Sequence, residues 1–335
     1  MRILLASSIL HETIDQIKST HEIVCAFNAG KEQLKSSIKE CEAVIFRSGV
    51  EISAEVMSCT SRLKVLIRAG SGCDNVDLNY VARHGLDFYR IPEPGASAVA
   101  EMSFCLMLGL ARNLLVADSR LRQGHWLKHT LEGHSLTGKT LGIVGVGSIG
   151  SKVGRMGHFF GMDVIGCVKN ISPSRISAQW RENKIRLTSF EEVVSSSDFI
   201  SIHVPLDEGT RHLFDEKVFA DMKPGAFLIN LSRGHVVDEE ALYKALTVKA
   251  TLSGAGLDVH EKEGEGQISR LAHLSNVILT PHIGAQTLDS QKQIGRRIVE
   301  ILESHSRVSP AADEERRSSR TKAIFDDSSP IPQAG

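Results

Sequence analysis

Three polar side chains in the second half of the chain have the types needed for proton and carbonyl chemistry. Arg233 lies three residues after Asn230 in "MKPGAFLINLSRGHVVDEEAL", Glu263 follows "GLDVHEK", and His282 follows Pro281 in "LTPHIGAQT". An arginine can bind a carboxylate and an adjacent carbonyl oxygen with its forked donors. A histidine can supply a proton near neutral pH, and a neighbouring carboxylate fixes its tautomer and favours its protonated form. We therefore predict that these three residues form a catalytic set.

Each of these residues also has an ordinary structural interpretation. Arg233 could form a salt bridge in a surface loop, and His282 could be a satisfied polar side chain without a chemical role. However, all three follow apolar runs that are typical of buried parallel strands. The carboxyl ends of such strands share one edge of a sheet, where α/β proteins bind their ligands. This shared edge favours the catalytic interpretation.

The stretch "TLGIVGVGSIG", residues 140–150, has a spacing typical of a dinucleotide site. An apolar run precedes Gly145, Gly147 and Gly150, and Ile149 lies at the start of a predicted helix. In this spacing the first glycine permits a tight turn, the second lets a pyrophosphate approach, and the third packs the helix against the strand. Ordinary strand–helix turns can have the same glycines, but a position inside a predicted βαβ unit favours cofactor binding.

The next strand, "DVIGCV", ends without the acidic residue that would hold the ribose hydroxyls of NAD. Val168, Lys169 and Asn170 occupy this place, and Arg175 follows. A basic loop could accommodate the 2′-phosphate of NADP, but it could equally be a solvent-exposed strand end. The sequence therefore predicts NAD or NADP as the cofactor and leaves the choice open.

Alternating strands and helices must position these residues. Five apolar runs occur in the first ninety residues, separated by polar segments with helical spacing: "RILLA", "EIVCAF", "AVIFRS", "LKVLIRAG" and "LDFYRI". Six more begin at residue 140: "TLGIVG", "DVIGCV", "FISIHV", "AFLINLS", "SGAGLDV" and "NVILTP". This alternation predicts an α/β fold with parallel sheets and helices on both faces, and six strands suit a doubly wound dinucleotide-binding domain.

Two longer helices are predicted outside this alternation. One covers about residues 98–123 and has too many apolar residues for one face, Leu114 among them, so we expect it to be buried on several sides rather than to span a membrane. The other covers about residues 286–305 and could return to the first unit. Residues 306–335 are rich in Ser, Pro and charge, which predicts a disordered tail, with a docking segment around Phe325 as the alternative.

The composition bounds the class of protein. The chain has 335 residues, 41% hydrophobic and 24% charged, with a net charge of −1. This length allows about two domains, and the charge gives no attraction to nucleic acid or to an anionic membrane. Six scattered cysteines, most of them in apolar runs, predict buried, reduced thiols and a cytoplasmic protein. No signal peptide and no metal site are predicted.

The longer motifs resemble those of the D-isomer-specific 2-hydroxyacid dehydrogenases, especially the branch of phosphoglycerate dehydrogenases and glyoxylate/hydroxypyruvate reductases. The resemblance extends from about residue 43 to residue 285 and includes "RAGSGCDNVD", "GKTLGIVGVGSIG", "HVPLDEGTR" and "LTPHIG". It implies hydride transfer between NAD(P)(H) and a small 2-keto or 2-hydroxy acid of the 3-phosphoglycerate, hydroxypyruvate or glyoxylate type. Arg233 would orient the substrate, His282 would be the acid/base, and Glu263 would support His282.

The resemblance also implies a domain organisation and an assembly. A flavodoxin-like substrate-binding domain would comprise residues 1–93 and 289–305, and a Rossmann NAD(P)-binding domain would comprise residues 94–288. The protein would be a homodimer with the long helix after Pro94 near the interface. Trp126 matches a tryptophan that, in some relatives, reaches into the site of the partner subunit.

Further contacts follow from the matching motifs. For the cofactor, the glycine-rich turn would be joined by residues from several loops: Ser71, Ser148, Ile149, Val168, Lys169, Asn170, Pro205, Thr210, Leu231, Ser232, Arg233, Asp258, His282, Ile283, Gly284 and Ala285. Asp258 would bond the nicotinamide amide. The substrate would be held by Arg233, by His282 and by the backbone amides of one turn, formed by Ala69, Gly70, Ser71 and Gly72. Arg47 resembles an arginine that meets a distal phosphate.

Several departures limit what the resemblance implies. Val168 replaces the acidic residue of NAD-type members, Gly49 stands at the second basic position after Arg47, and Gly264 follows Glu263 where proline is usual. "PGASA" replaces the usual asparagine-bearing loop before "VAE". Cofactor choice and the identity of the acid therefore stay open. An NAD(H)-sensing protein similar to transcriptional co-repressors is the alternative from another class, and formate or phosphite oxidation is the alternative among enzymes.

Overall fold

The computed structural model describes residues 1–27, 29–249 and 251–307. The chain divides into two compact units, one of Met1–Gly95 with the segment from Thr287 onward, and one of Ala96–Gln286. Each unit contains one parallel sheet, so the predicted parallel α/β class is confirmed. Of the predicted tail, residues 306 and 307 end the last helix, and residues 308–335, with the alternative docking segment, lie outside the described residues.

The first unit has a five-stranded sheet in the order β2-β1-β3-β4-β5. Its strands match the five apolar runs: β1 (Arg2–Leu5), β2 (Glu22–Cys25), β3 (Ala43–Phe46), β4 (Val65–Arg68) and β5 (Asp87–Arg90). The intervening helices are α1 (His11–Lys18), α2 (Lys31–Ser37), α3 (Ala54–Met57) and α4 (Leu78–Arg83). Ile3 and Leu5 pack into one core and Leu4 into another, so each face of the sheet is covered.

The second unit has a seven-stranded sheet in the order β12-β11-β10-β9-β6-β7-β8. Its strands are β6 (Thr140–Val144), β7 (Asp163–Cys167), β8 (Arg186–Leu187), β9 (Phe199–Ile202), β10 (Ala226–Asn230), β11 (Leu252–Leu257) and β12 (Val277–Leu279). Its helices are α5 (Glu93–Ala111), α6 (Leu114–Arg122), α7 (Ser148–Phe159), α8 (Pro173–Asn183), α9 (Phe190–Ser196), α10 (Glu216–Asp221) and α11 (Glu239–Thr247). The strand order reverses between β6 and β9, where doubly wound folds bind their ligands.

Two predictions for the second unit were wrong in detail. The sheet has a seventh strand, β8, whose two residues pair with β7 at the edge and are too few to form a periodic pattern. The helix predicted over residues 98–123 is two helices, because Asn113 adopts a left-handed conformation with φ 50°. Leu114 is 59% exposed rather than buried.

α5 has the length and hydropathy of a membrane span, but 67% of its most apolar segment is buried inside the protein.

The last helix, α12 (Leu288–Arg307), completes the first unit. Its apolar residues recur at helical spacing and pack against one face of the five-stranded sheet: Ile294, Ile298, Ile301 and Leu302. A Cβ on Gly295 would lie 2.1 Å from Oγ1 of Thr13, so glycine lets α12 approach α1 closely. The hydroxyl of Ser290 donates to the carbonyl oxygen of Pro94 at 2.8 Å. The first unit is therefore built from both ends of the described chain.

The six cysteines are unpaired, but the expectation that they are buried holds for only two of them. Cys41 and Cys167 are buried, whereas Cys25 and Cys105 are exposed. Burial raises the pKa of the Cys167 thiol to about 11, so this thiol is protonated at neutral pH.

Candidate active site

The turn between β6 and α7 has the geometry of a pyrophosphate cradle. Gly145 has φ 96°, and a Cβ there would lie 2.6 Å from the carbonyl oxygen of His203, just after β9. A Cβ on Gly150 would lie 2.2 Å from the carbonyl oxygen of Gly145, so packing requires glycine at both positions. A Cβ on Gly147 would meet no described protein atom within 4 Å. Packing therefore does not explain Gly147, whereas close approach by a ligand does.

The start of α7 supplies the hydrogen-bond donors for this cradle. Gly147 is the N-cap of the helix, and within the described residues no side chain caps it. The first amides of the helix, beginning at Ser148 and Ile149, are therefore available to an anion, and the helix dipole adds partial positive charge there. These residues fit the pyrophosphate of a dinucleotide.

Arg175 lies near the end of β7, where Val168 occupies the position at which an NAD-selective site would have an acidic residue. Val168 is half-buried, and Lys169 and Asn170 are exposed. The guanidinium of Arg175 in α8 donates from Nη1 to the carbonyl oxygen of Asn170 at 3.4 Å and from Nη2 to that of Val146 at 3.5 Å. Arg175 therefore connects the end of β7 with the glycine-rich turn. This geometry can accommodate a 2′-phosphate and does not exclude NAD.

The turn after β10 presents Arg233 and is shaped by Asn230, which the sequence did not single out as a site residue. Asn230 is 1% exposed, and its Oδ1 accepts hydrogen bonds from the backbone N–H and the hydroxyl of Ser232 at 3.0 and 2.7 Å. Its Nδ2 donates to the carbonyl oxygen of Arg233 at 2.9 Å, and Nη1 of Arg233 donates to the carbonyl oxygen of Ser232 at 2.7 Å. The N-x-x-R spacing is the signal that could have revealed this role.

His282 and Glu263 form the hydrogen-bonded pair that the sequence predicted. Nδ1 of His282 lies 2.9 Å from Oε2 and 3.2 Å from Oε1 of Glu263. The backbone N–H of His260 donates to Oε1 of Glu263 at 3.2 Å and orients the carboxylate further. Because Nδ1 is hydrogen-bonded to the carboxylate, Nε2 is the nitrogen that can exchange a proton with a substrate. The side chain of His282 is 29% exposed, so the imidazole can be reached.

The electrostatics of this pair favour a charged carboxylate. Partial burial acts to raise the pKa of Glu263, but the hydrogen bond and charge of His282, with the N–H of His260, outweigh it. The pKa of Glu263 is therefore held below its usual range. At neutral pH the carboxylate is ionised and can stabilise a protonated imidazole.

Asp258 holds the loop that carries His282. The carboxylate is 2% exposed and accepts from the hydroxyl of Thr280 at 2.6 Å, the N–H of Ile283 at 2.9 Å and the N–H of Gly284 at 2.7 Å. Its backbone carbonyl accepts from the N–H of His282 at 2.8 Å, which helps keep His282 at φ 54°. The sequence predicted Asp258 as a nicotinamide contact. That role stays a prediction, and the positioning role was missed because it depends on a turn that no pattern shows.

Backbone hydrogen bonds also connect the arginine turn to the histidine loop. The N–H of Asp258 donates to the carbonyl oxygen of Asn230 at 3.0 Å, and the N–H of His282 donates to Asp258. β10, β11 and β12 are adjacent, so Arg233 and His282 leave the sheet from strands about 10 Å apart. Two strand spacings are within the combined reach of an arginine and a histidine side chain that converge on one small acid.

Residues 205–210 form another loop that the sequence predicts to contact the cofactor, and its residues are hydrogen-bonded to one another. The hydroxyl of Thr210 donates to the carbonyl oxygen of Pro205 at 2.7 Å and accepts from the N–H of Asp207 at 2.8 Å. Leu231 is buried beside Gly284, with its Cδ2 3.3 Å from the Cβ position of that glycine. The cofactor contacts of Thr210, Pro205, Leu231 and Ala285 stay predictions.

The predicted substrate residues of the first unit follow β3 and β4. The N–H of Arg47 donates to the hydroxyl of Ser7 at 2.9 Å, and burial lowers the pKa of the Arg47 guanidinium. Arg68, the residue before the Ala69–Gly72 turn, is 4% exposed and donates from Nε to Oδ1 of Asn75 at 3.3 Å. Nδ2 of Asn75 donates to the carbonyl oxygen of Arg47 at 2.9 Å. Asn75 thus joins the two segments, and the sequence did not predict this role or that of Arg68.

The structure therefore brings some predicted residues together and leaves others as predictions. His282 is hydrogen-bonded to both Glu263 and Asp258, and Arg233 lies on a turn bonded to the same network. Arg47 and the turn at residues 69–72, which includes Ser71, share the carboxyl edge of the first sheet. A common site formed by the two sets stays a prediction.

Sequence comparisons agree with this geometry. The family model described as "D-isomer specific 2-hydroxyacid dehydrogenase, NAD binding domain" matches residues 104–284. D-3-phosphoglycerate dehydrogenase 2, chloroplastic, of Arabidopsis thaliana is 36% identical over 90% of this chain. Hydroxypyruvate reductase of Thermotoga maritima is 37% identical over 81% of this chain and 87% of its own length. The chain spans about half the length of the plant relative, 48%.

A solved structure agrees as well. D-lactate dehydrogenase of Aquifex aeolicus, complexed with NAD and lactic acid, has a TM-score of 0.79 and 28% identity, covering 95% of this chain and 98% of the other. The Rossmann and substrate-binding fold and the nicotinamide cofactor predicted from the sequence are confirmed. Together with the glycine-rich cradle and the His282–Glu263 pair, these matches show that the chain belongs to the D-isomer-specific 2-hydroxyacid dehydrogenase family.

Proposed function

We propose that the protein is an NAD(P)-dependent dehydrogenase that interconverts a small 2-keto acid and its D-2-hydroxy acid. The observation that carries this proposal is the His282–Glu263 pair, with Nδ1 and Oε2 2.9 Å apart, on a loop fixed by Asp258. Arg233 lies on a turn bonded to the same network, so a cation and a proton donor are available at one sheet edge. This combination suits reduction of a carbonyl beside a carboxylate.

Each residue has a distinct task in this reaction. A bound nicotinamide dinucleotide supplies the hydride in reduction and accepts it in oxidation. Arg233 holds the substrate carboxylate with its forked donors. Nε2 of His282 donates a proton to the carbonyl oxygen during reduction and takes the hydroxyl proton during oxidation. Glu263 is ionised at neutral pH and stabilises the imidazolium before its proton is transferred.

For the substrate, we favour short acids such as hydroxypyruvate or glyoxylate over a phosphorylated acid. Arg47 alone gives one half-buried guanidinium, and the neighbouring position that would add a second cation is the exposed Gly49. A phosphate dianion usually needs several charged donors. The high coverage of the Thermotoga hydroxypyruvate reductase also supports this choice.

A panel of keto acids with both reduced cofactors tests the activity. We expect oxidation of NADH or NADPH with glyoxylate and hydroxypyruvate, and a lower kcat/KM with 3-phosphohydroxypyruvate. If none of these acids supports oxidation of either cofactor, the proposal fails and an NAD(H)-sensing protein becomes the better interpretation. If the phosphorylated acid gives the highest kcat/KM, the enzyme class stands and the substrate choice is wrong.

The same assay tests whether Arg175 supports NADPH use. We expect wild-type kcat/KM for the two cofactors to differ by less than about a hundredfold, or 2.7 kcal/mol. Arg175→Ala should lower kcat/KM with NADPH about tenfold, the effect of losing one charge-assisted contact. Arg181→Ala is a matched control, because Arg181 lies on the same helix, is 76% exposed and pairs with Glu182. Equal effects of the two variants would contradict a role for Arg175.

We also propose that the protein is a cytoplasmic homodimer that binds neither nucleic acid nor membranes. None of the residues of α6 is buried, although several of its side chains and Trp126 beyond it are large and apolar. Leu114, Leu115 and Leu121 are 54–59% exposed, and Trp126 is 76% exposed. Such a patch supports a protein interface. Light scattering should give twice the chain mass of 36.6 kDa.

A further inference from the structure

A second cluster of metal-binding side chains lies in the loops after β9, β10 and β11. His212, His235 and Glu261 each offer one ligand atom, and these atoms lie within 4.8 Å of one another. All three residues are half-buried. We propose that they bind one divalent transition-metal ion, with Zn²⁺ as the ion of choice. The set is distinct from the His282–Glu263 pair, and its members are too far apart in the sequence to form a recognisable metal motif.

The backbone holds the two histidines together. The N–H of His212 donates to the carbonyl oxygen of His235 at 2.7 Å, and Phe214 and Val237 form a parallel bridge just beyond. His212 has φ 49°, a left-handed conformation that a residue with a Cβ rarely adopts. Conformations of this kind persist when the surrounding structure imposes them, and they concentrate at functional sites. The fold therefore places these two imidazoles side by side.

Two ring nitrogens of the cluster have no hydrogen-bond partner among the described residues. Nε2 of His212 and Nδ1 of His235 are buried atoms with no hydrogen-bond partner in the described structure. Buried polar atoms in native proteins are nearly always hydrogen-bonded, so an unmet nitrogen calls for an explanation. Nε2 of His212 lies 3.1 Å from Oε1 of Glu261 but without hydrogen-bond alignment. Zinc bonds of about 2.0–2.1 Å place tetrahedral ligands about 3.3 Å apart, so this spacing suits two ligands of one ion.

Outer contacts orient the carboxylate ligand. Glu239 and Glu261 exchange hydrogen bonds: the N–H of Glu261 donates to Oε1 of Glu239 at 2.8 Å, and the N–H of Glu239 donates to Oε1 of Glu261 at 3.3 Å. The hydroxyl of Ser269 donates to the other oxygen of Glu239 at 2.6 Å. A Cβ on Gly234 would lie 1.9 Å from the carbonyl oxygen of His260, so only glycine lets the two loops approach. Support of this kind is typical of metal sites.

The ligand chemistry selects the class of ion. Two imidazoles and one carboxylate suit zinc and its transition-metal neighbours, whereas magnesium and calcium prefer oxygen ligands alone. Three protein ligands leave a fourth tetrahedral position for water. His235 lies two residues after Arg233, and Glu261 lies two residues before Glu263. A bound ion would therefore fasten together the two loops that carry those catalytic candidates.

Titration of the chelator-treated full chain with ZnCl₂ in a calorimeter tests the site. We expect one Zn²⁺ per chain with a Kd of about 1 µM or tighter, and a higher Tm in the presence of zinc. His235→Ala and Glu261→Gln should each weaken binding at least about a hundredfold, since each removes one of three ligands. His129→Ala, at an exposed histidine, and His282→Ala should retain wild-type affinity.

The Tm of each variant without zinc shows that it is folded, and the two ligand variants lie on different loops. The proposal is overturned if the wild-type chain binds no zinc, or if both ligand variants bind it as tightly as the wild type. Loss of binding in His282→Ala alone would also overturn it, because the ion would then belong to the His282–Glu263 pair.

Discussion

Two histidine–glutamate sites lie at the same edge of the second sheet, and they are built differently. Nδ1 of His282 is hydrogen-bonded to the carboxylate of Glu263, on a loop that Asp258 fixes. Nε2 of His212 lies at a similar distance from Glu261 without a hydrogen bond, and His235 adds a further nitrogen. One oriented imidazole with its second nitrogen open can move a proton, whereas several convergent nitrogens suit an ion.

The difference shows that a short histidine–carboxylate distance does not by itself identify a chemical role. The deciding features are whether the pair is aligned for hydrogen bonding and how many further ligand atoms converge on it. In the His282 site, alignment selects one tautomer. In the His212 site, two ring nitrogens without a hydrogen-bond partner among the described residues are available to bind a metal.

The largest expected effect separates the two histidines. His282→Ala should lower kcat for keto-acid reduction about a thousandfold, or roughly 4 kcal/mol, because it removes the proton donor. His212→Ala should lower kcat less than about tenfold, because that residue does not touch the reacting atoms. Cofactor affinity, measured by fluorescence titration of NADH, should stay near wild type in His282→Ala. Comparable losses of kcat in the two variants would show that His212 also takes part in the proton chemistry.

A smaller effect separates the two glutamates. Glu263→Gln should lower kcat about thirtyfold and move the pH profile of reduction toward lower pH, because an amide does not stabilise the imidazolium. Glu261→Gln should leave the profile in place. A profile that moves equally in both variants would assign the proton chemistry to both sites.

The pH dependence of the unfolding free energy tests the contribution of the Glu263 carboxylate in the His282–Glu263 pair. Burial opposes ionisation of Glu263, but His282 and the N–H of His260 lower its pKa below the usual range. A lowered carboxyl pKa contributes stability that is present above the unfolded value of about 4.3 and is lost as the pH falls through the folded pKa. The stabilisation from this pair should therefore persist through the neutral range and disappear in strong acid. The unfolding free energies of wild type and Glu263→Gln, measured with urea, should differ at neutral pH and converge as the pH falls through the folded pKa of Glu263.

The smallest expected effect on turnover concerns the support of the His282 loop. Asp258→Asn replaces a carboxylate oxygen with a donor that faces an N–H or a hydroxyl, which should cost about 1–3 kcal/mol of unfolding free energy. Thr280→Val removes one donor to Asp258 and should cost about 1 kcal/mol. Kcat should fall about fivefold in Asp258→Asn through misplacement of the imidazole, while zinc affinity stays unchanged. Unchanged stability in Asp258→Asn would show that this carboxylate does not hold the loop.

Much of the fold was predictable because its strands are short apolar runs between polar helices. All eleven predicted strands exist, and the glycine spacing located the cradle, since only glycine permits the turn at Gly145 and the contact at Gly150. β8 and the break at Asn113 were missed because a two-residue edge strand and a single left-handed residue leave no periodic signal. The catalytic candidates were predictable because each follows a recognisable strand.

The sequence by itself determined the class of chemistry: residue types and spacing at the ends of parallel strands are local properties that survive in a linear pattern. Only the tertiary structure decided which polar groups meet. Asp258 and Asn75 act through hydrogen bonds to residues on other strands or turns, and His212, His235 and Glu261 converge from three loops. Such contacts depend on strand order and on turns closed by the packing of distant segments, and strand order is not a property of any single segment.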